Sequence, residues 1–298
     1  MLLRTYQLTE MQMDALTDLK NRCKAIDGGL PSFYPHILRQ KRETANNILY
    51  YVDNRLVAFL SVYFFYEDAC EVSILVEPGS RRQGLASKLL FNILPLLQSK
   101  KMKRLIFSMG HKFNESWLGP LGFNYQQSDY HMQRQSYEPI LVNHSALSFR
   151  KAVFDDAGLL CEIDNSAFKM DVPSNIERFI QIMNDPDYSI YLAIKGEQPI
   201  GKAHIHWQND KATFSDIAIL PEFQGQGFGS TLLAYCINKA LMQEVYKLTL
   251  DVETTNQNAL NLYLRHDFKI ASVYDYWVIN IEKIQTLLER SHFSDDSC

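Results

Sequence analysis

Gly225, Gly227 and Gly229 stand in alternation between a stretch that reads as a strand and one that reads as a helix. The strand-like stretch, 214–219, is apolar apart from Ser215 and Asp216, and Pro221 closes it. From Ser230 onward, apolar residues recur at helical spacing: Leu232, Leu233, Cys236, Ile237, Ala240 and Leu241. The first amides of a helix have no internal partner and lie at the positive end of its dipole. Glycines let a loop backbone approach a ligand closely. A strand, a glycine loop and a helix in that order therefore make an anion site, most naturally for phosphate or pyrophosphate. It is not a dinucleotide fingerprint, because Ser230 fills the third glycine slot and 221–224 part the strand from the first glycine. The Gly-Lys-Ser/Thr of a nucleoside-triphosphate loop is absent.

The motif that does fit is Gln224-x-x-Gly227-x-Gly229. It resembles the Gln/Arg-x-x-Gly-x-Gly/Ala signature of the GNAT superfamily of N-acetyltransferases. Downstream, 247–252 reads as the next strand, and Asn256-x-x-Ala259-x-x-Leu262-Tyr263 follows, ending at Phe268. This is similar to the family's Asn-x-x-Ala-x-x-Leu-Tyr-x-x-x-Gly-Phe, with Asp267 where glycine is usual; Asp tolerates the left-handed region that ends such a helix. The chain also repeats. At a shift of 143, Arg81-x-x-Gly84-x-Ala86 falls on the Gln224 motif, Pro78 on Pro221, Ile74 on Ile217 and Leu89 on Leu232. A match of this kind between two halves implies two similar domains. The chain resembles a tandem GNAT protein: mixed α/β, with one domain over 1–137 and a second over 145–285.

That resemblance implies roles. Gln224, Gly225, Gln226, Gly227, Phe228, Gly229 and Ser230 hold the pyrophosphate of acetyl-CoA. The backbone of Ala218 and Ile219 pairs with the pantetheine arm, and the Ile219 amide donates to the thioester oxygen. Asn256 helps place the arm, and Tyr263 is the general acid. Asp216 is the leading candidate base, with Glu253 and Asp251 behind it. In the first domain Arg81, Arg82, Gln83, Gly84, Leu85 and Ala86 form the matching loop. That domain has Leu118 where the second has Tyr263, and Gly119-Pro120 shortens any helix there, so it lacks the acid. The implied acceptor is a small-molecule or peptide amine.

The elements that must position these residues are legible in outline. A chain of 298 residues is long enough for two cores. In the first half, 4–8 reads as a strand, 11–25 as a helix, and 47–52 with 56–66 as a hairpin around Asp53-Asn54. A strand over 70–76, a helix over 87–98 containing Pro95, and a strand over 104–108 follow. A linker is expected over 133–144. In the second half the order is a strand at 147–151, a helix opened by Asp155-Asp156, a capping box at Ser174 to Glu177, and a hairpin of 188–195 with 199–207. Strands fall within 269–281. His204 and His206 share one strand face, but no third metal ligand is evident.

Composition excludes several classes. Apolar content of 46% with 21% charged residues belongs to a globular protein with a packed core. A net charge of −4 gives no footprint for nucleic acid. The longest apolar run, 56–66, is too short to span a bilayer. Five cysteines without a CxxC pair fit a reducing, cytoplasmic compartment.

Overall fold

Asp53 and Asn54 both take positive φ, 48° and 62°, and close a two-residue turn between β2 (Asn47–Val52) and β3 (Arg55–Tyr63). A turn with both central residues left-handed matches the natural twist of a hairpin. The computed structural model describes residues 1–27, 29–110, 118–142, 147–168, 176–208 and 210–295. The capping box expected at Ser174 lies outside them.

The chain divides into two units, and the division does not follow sequence order. The first contains Met1–Asp129 together with Ser272–Cys298; the second is Tyr130–Ala271. Residues 272–285, expected with the second domain, thus pack with the first. In the first unit the strand order is β1 (Leu2–Thr5), β2, β3, β4 (Ala69–Val76), β5 (Arg104–Gly110) and β12 (Phe268–Asn280). β12 runs antiparallel to β5, from Tyr274 opposite Gly110 to Asn280 opposite Arg104. Alternate residues of β2 and β3 feed two cores. Leu49 and Phe59 meet Met13, Leu16, Leu19 and Cys23 of α1 (Glu10–Asp27). Ile48, Ala58 and Leu60 meet Leu89 and Ile93 of α3 (Leu85–Ser99), with Trp277, Ile279, Ile284 and Leu288 from β12 and α8 (Ile281–Asp295). A short α2 (Pro35–Arg39) completes the first face.

The second unit repeats the plan. Its strand order is β7 (Ser148–Lys151), β8 (Tyr188–Lys195), β9 (Gln198–Gln208), β10 (Lys211–Ile219), β11 (Lys247–Glu253) and β6 (Asn124–Arg134). β6 was not expected. Its sequence is polar, and in the part that enters this unit only Met132 and Arg134 are buried. α4 (Ala157–Ala167) and α5 (Ile176–Asn184) cover one face through Leu160, Ile163 and Phe179. α6 (Phe228–Leu241) and α7 (Gln257–Leu264) cover the other through Leu232, Leu233, Ile237 and Tyr263. Cys23, Cys70, Cys161 and Cys236 are free and buried. Among the described residues, no helix is long and apolar enough to cross a membrane.

Candidate functional site

The glycine loop begins where β10 stops. Leu220 N–H donates to Ile200 O at 2.8 Å, and Pro221–Phe223 form a short 3-10 turn. Gly225 and Gly227 then take φ of +74° and +85°, conformations that a side chain would strain. Gly227 is the N-cap of α6 and offers no side-chain acceptor. Thr231 N–H makes the cap-residue hydrogen bond, to Gly227 O at 3.1 Å. The amides of Phe228, Gly229 and Ser230 therefore precede the helical ladder and point out of its end. Gln224 faces inward instead: its Nε2 donates to Ile219 O at 2.8 Å, tying the loop to the strand it leaves. Ser230 Oγ lies 3.1 Å from His266 Nε2, while His266 Nδ1 lies 2.8 Å from Leu262 O. With Nδ1–H donated to that carbonyl, Nε2 accepts from the Ser230 hydroxyl, which links α6 to the end of α7. A cation outside the motif also stands beside the loop. Lys195 Nζ sits 5.0 Å from the Phe228 ring centre and 5.4 Å from that of Phe223.

β10 separates from β11 just before this loop. Their parallel pairing runs from Lys211–Lys247 to Phe214–Leu250, although β10 continues to Ile219 and β11 to Glu253. On its other edge β10 carries a bulge. Ser215 faces His204 and Ala218 faces Lys202, so Asp216, at φ +48°, and Ile217 share one place in the ladder. The Leu220–Ile200 bond fixes the parity beyond the bulge. Ala218 exchanges its bonds with Lys202, and Ile219 turns its N–H away from β9, into the gap that β11 has left. The Ile219 backbone thus faces the gap, whereas that of Ala218 pairs with Lys202. Gly201 permits this geometry: a Cβ on it would lie 2.4 Å from Ala218 O and 2.5 Å from Ile219 Cδ1.

Beside the bulge, five side chains close a ring. Lys202 Nζ lies 2.7 Å from Asp164 Oδ1 and 3.2 Å from His204 Nε2. His204 Nδ1 lies 3.3 Å from Asp216 Oδ2. Arg178 returns from Asp216 Oδ1, at 3.4 Å, to Asp164 Oδ2, at 3.0 Å. Phe179 packs against this ring, 5.3 Å from Lys202 Nζ and 5.5 Å from the Arg178 guanidinium. Burial, reinforced by Lys202, lowers His204 to about 3, so its imidazole is neutral near pH 7. Its Nδ1–H then donates to Asp216 and its Nε2 accepts from Lys202. Burial works against ionising Asp216, but the charges around it win and hold it at about 2. Desolvation also lowers Lys202. The two aspartates thus lie between the three basic side chains around the ring. His206 is not part of the ring; it stacks on Tyr188 with ring centres 4.2 Å apart. Among the described residues no group of three or more His, Cys, Asp or Glu side chains is arranged to hold a metal.

Tyr263 is 8% exposed on α7, its ring 6.2 Å from that of Phe268. Burial raises its phenol to about 12. Asn256 is the N-cap of α7, its Oδ1 accepting from Ala259 N–H at 3.1 Å, which leaves Nδ2 as the group it can offer elsewhere. Asp267 takes φ +65° where the motif usually has glycine. Of the other candidate bases, Asp251 lies 2.7 Å from His131 Nδ1, and Glu253 accepts from Thr255 Oγ1 at 2.7 Å.

The first unit has the same loop with other occupants. Gly84, at φ +73°, starts α3 as Gly227 starts α6, and the amides of Leu85, Ala86 and Ser87 lead its first turn. Arg81 Nε donates to Val76 O at 3.0 Å, the bond that Gln224 makes to Ile219 O. The rest of the Arg81 guanidinium pairs with both oxygens of Asp27, at 2.7 and 2.5 Å. Arg81 is thus committed within the protein, and Arg82 is the exposed cation of this loop. Small-ligand pockets run to about 300–1,000 Å³; here one of ≈ 570 Å³ is bounded by Val76, Arg82, Gly84, Ser87 and Met109. β4 and β5 also part early, after Val72–Phe107, but the β3–β4 register has no bulge. The gap is filled from within the chain. Ser32 N–H donates to Ser108 Oγ at 3.0 Å, Ser73 Oγ donates to Ser32 O, and Tyr34 OH donates to Glu71 Oε2 at 2.9 Å. Ser73 occupies the place that Asp216 holds in the second unit. Leu118, in the place of Tyr263, is fully buried.

The sequence profile of the Acetyltransferase (GNAT) family matches residues 7–115 and again 159–268. A candidate ribosomal protein bS18 alanine N-acetyltransferase of Bacillus subtilis (strain 168) is 29% identical over 115 residues, covering 38% of this chain and 75% of that protein. A GCN5-related N-acetyltransferase from Sphaerobacter thermophilus superposes with a TM-score of 0.76 at 16% identity, covering 94% of this chain and 96% of the other. A tandem GNAT protein from the clavulanic acid biosynthesis pathway superposes with a TM-score of 0.69 at 12% identity, covering 94% and 98%. Two profile matches spanning most of the sequence, on two units that each carry the glycine loop and the parted strands, establish that this chain belongs to the GNAT acetyltransferase family as a tandem member.

Proposed function

We propose that the second unit transfers an acetyl group from acetyl-CoA to the amine of a small molecule or peptide. The observation that carries this is the convergence of the uncapped amides of Phe228, Gly229 and Ser230 with the gap that receives the Ile219 N–H. The loop amides and Lys195 suit a pyrophosphate, and the Ile219 N–H suits the oxygen of a thioester. In the reaction the amine nitrogen bonds to the acetyl carbon and the carbon–sulfur bond breaks. The sulfur leaves as a thiolate and takes a proton, and the ammonium form of the acceptor gives up two protons in becoming an amide, so that one proton in all passes to solvent.

Magnitudes decide how those protons move. An unperturbed ammonium has a pKa near 10.4 and one pKa unit is worth about 1.36 kcal/mol, so drawing on the neutral amine at pH 7 costs about 5 kcal/mol. Handing that proton to Asp216, held below the usual carboxylate range, costs more than that. Entry of the neutral amine wins, so Asp216, expected as the base, serves as a fixed negative charge. Tyr263 stands at about 12 against a thiol near 8.5, so full proton transfer to the thiolate is uphill by about 5 kcal/mol. This fits within the barrier of about 16 kcal/mol for roughly ten turnovers per second. Tyr263 therefore acts as hydrogen-bond donor and acid to the leaving sulfur.

The first unit, with Gln83 to Ala86 and its cavity, fits a CoA-type ligand on the loop side. It has no acid, and its acceptor side is filled by Ser32 and Tyr34, which makes it a binding or supporting unit.

The test is thiol release from acetyl-CoA across an amine panel. Tyr263→Phe lowers kcat by about 10²-fold or more, in the range of positioned proton donors, while CoA affinity measured by calorimetry persists. Equal turnover of the two proteins removes Tyr263 as the acid; absence of thiol release with every amine removes the enzymatic reading.

A further inference from the structure

We infer that the acceptor is an amine bearing an anionic group a short carbon chain away, a zwitterion in solution, bound across the Arg178–Asp216 edge of the five-membered ring. This rests on the second unit being the catalytic one. Asp164, Lys202 and His204 are at most 1% exposed, whereas the Arg178 and Asp216 side chains reach the surface at 40% and 28%. The ion pair joining these two is the longest in the ring, at 3.4 Å against 2.7 to 3.3 Å for the others. Each is also anchored from behind. Asp164 holds Arg178 at 3.0 Å, and His204 holds Asp216 at 3.3 Å with Lys202 beyond it. Phe179 beneath the guanidinium steadies its plane. The two opposite charges therefore stay in place when a ligand parts them.

A carboxylate, sulfonate or phosphonate takes the place of the Asp216 carboxylate on the guanidinium, as a charge-assisted contact. The amine meets Asp216, which stands on the bulge three residues before Ile219, the residue whose N–H enters the gap. The amine is thus delivered to the side of the sheet edge where the acetyl group is expected. A plain alkylamine satisfies Asp216 alone and leaves alkyl chain against a guanidinium. A diamine brings a second positive charge to Arg178. Both are disfavoured by the same residue, so discrimination comes from repulsion as well as attraction.

The experiment measures kcat/KM with acetyl-CoA for ω-amino acids from glycine to 5-aminopentanoate, each against the alkylamine of the same length. At the best length the amino acid is preferred by about 10-fold or more, the scale of one charge-assisted hydrogen bond. Arg178→Met brings the ratio toward one, and Arg178→Lys retains a preference. Thiol release from alkylamines and amino acids at equal kcat/KM overturns the zwitterion assignment and leaves the transferase reading standing. A preference unchanged in a folded Arg178→Met protein overturns it as well. Absence of thiol release with every acceptor removes both.

Discussion

Gln224 donates its side-chain amide to the carbonyl of Ile219, five residues earlier in the chain, at 2.8 Å. The same bond recurs in the first unit with an arginine as donor, from Arg81 to Val76 at 3.0 Å. Two chemically different side chains do one job. Each pins the glycine loop to the strand end and leaves the helix amides pointing outward. The tolerance of Gln or Arg at this place follows, because both present an N–H at similar reach.

Gln224→Ala therefore raises the KM for acetyl-CoA by about 2- to 10-fold, the worth of one neutral hydrogen bond. Gln224→Arg restores it to within about 2-fold. Steady-state kinetics on the two variants check the pair. An alanine variant with unaltered KM shows that the loop holds its shape without this bond.

The charge state of Asp216 sets the pH profile. With Asp216 held at about 2 and His204 at about 3, neither changes protonation between pH 5 and 9. The neutral amine is the reactive form, so kcat/KM rises tenfold per pH unit until the pKa of the acceptor is reached. A second break between pH 5 and 8 that is absent in Asp216→Asn points to Asp216 as a titrating base.

Acid stability reports the same groups. His204 lies at about 3 folded and near 6.5 unfolded, so between those values the unfolded chain binds the extra proton. Stability is fully present above about 6.5 and falls as pH drops toward 3, by up to about 1.4 kcal/mol per unit. Asp216, depressed from about 3.9, acts in the same direction between 3.9 and about 2. Urea unfolding from pH 7 to pH 4 measures this slope. His204→Gln flattens it.

Gly201 fixes the bulge by having no side chain. Gly201→Ala forces a methyl group to 2.4 Å from Ala218 O, and overpacking of this kind costs about 1–3 kcal/mol. Thermal unfolding registers this as a lower Tm. The larger effect is on kcat, because the strain is relieved by moving Ile219. A variant with normal Tm and kcat shows that the two strands have room to part.

What the sequence disclosed depends on range. The loop at Gly225 and Gly227 was legible because a left-handed backbone demands glycine, and that demand is local. The turn at Asp53-Asn54 was legible because Asp and Asn tolerate that backbone, again a local property. The ring was not, because Asp164, Arg178, Lys202 and Asp216 come from four elements and no spacing relates them. Arg81 illustrates the limit from the other side. As a motif residue it reads as a phosphate ligand, and only the fold shows Asp27 waiting for it. β12 was recognisable as strand, but periodicity names a conformation and not a neighbour.

The placement of β12 has a consequence for how the protein is made. Synthesis from the amino terminus delivers the first five strands of the first unit early, yet their sixth partner arrives only when residue 280 has been added. Until then the flank of β5 stands open, and Leu105 and Phe107 wait for Trp277 and Ile279. The first half of the polypeptide is therefore the last to be completed, and a cut near residue 271 injures the half that lies farther from it along the chain.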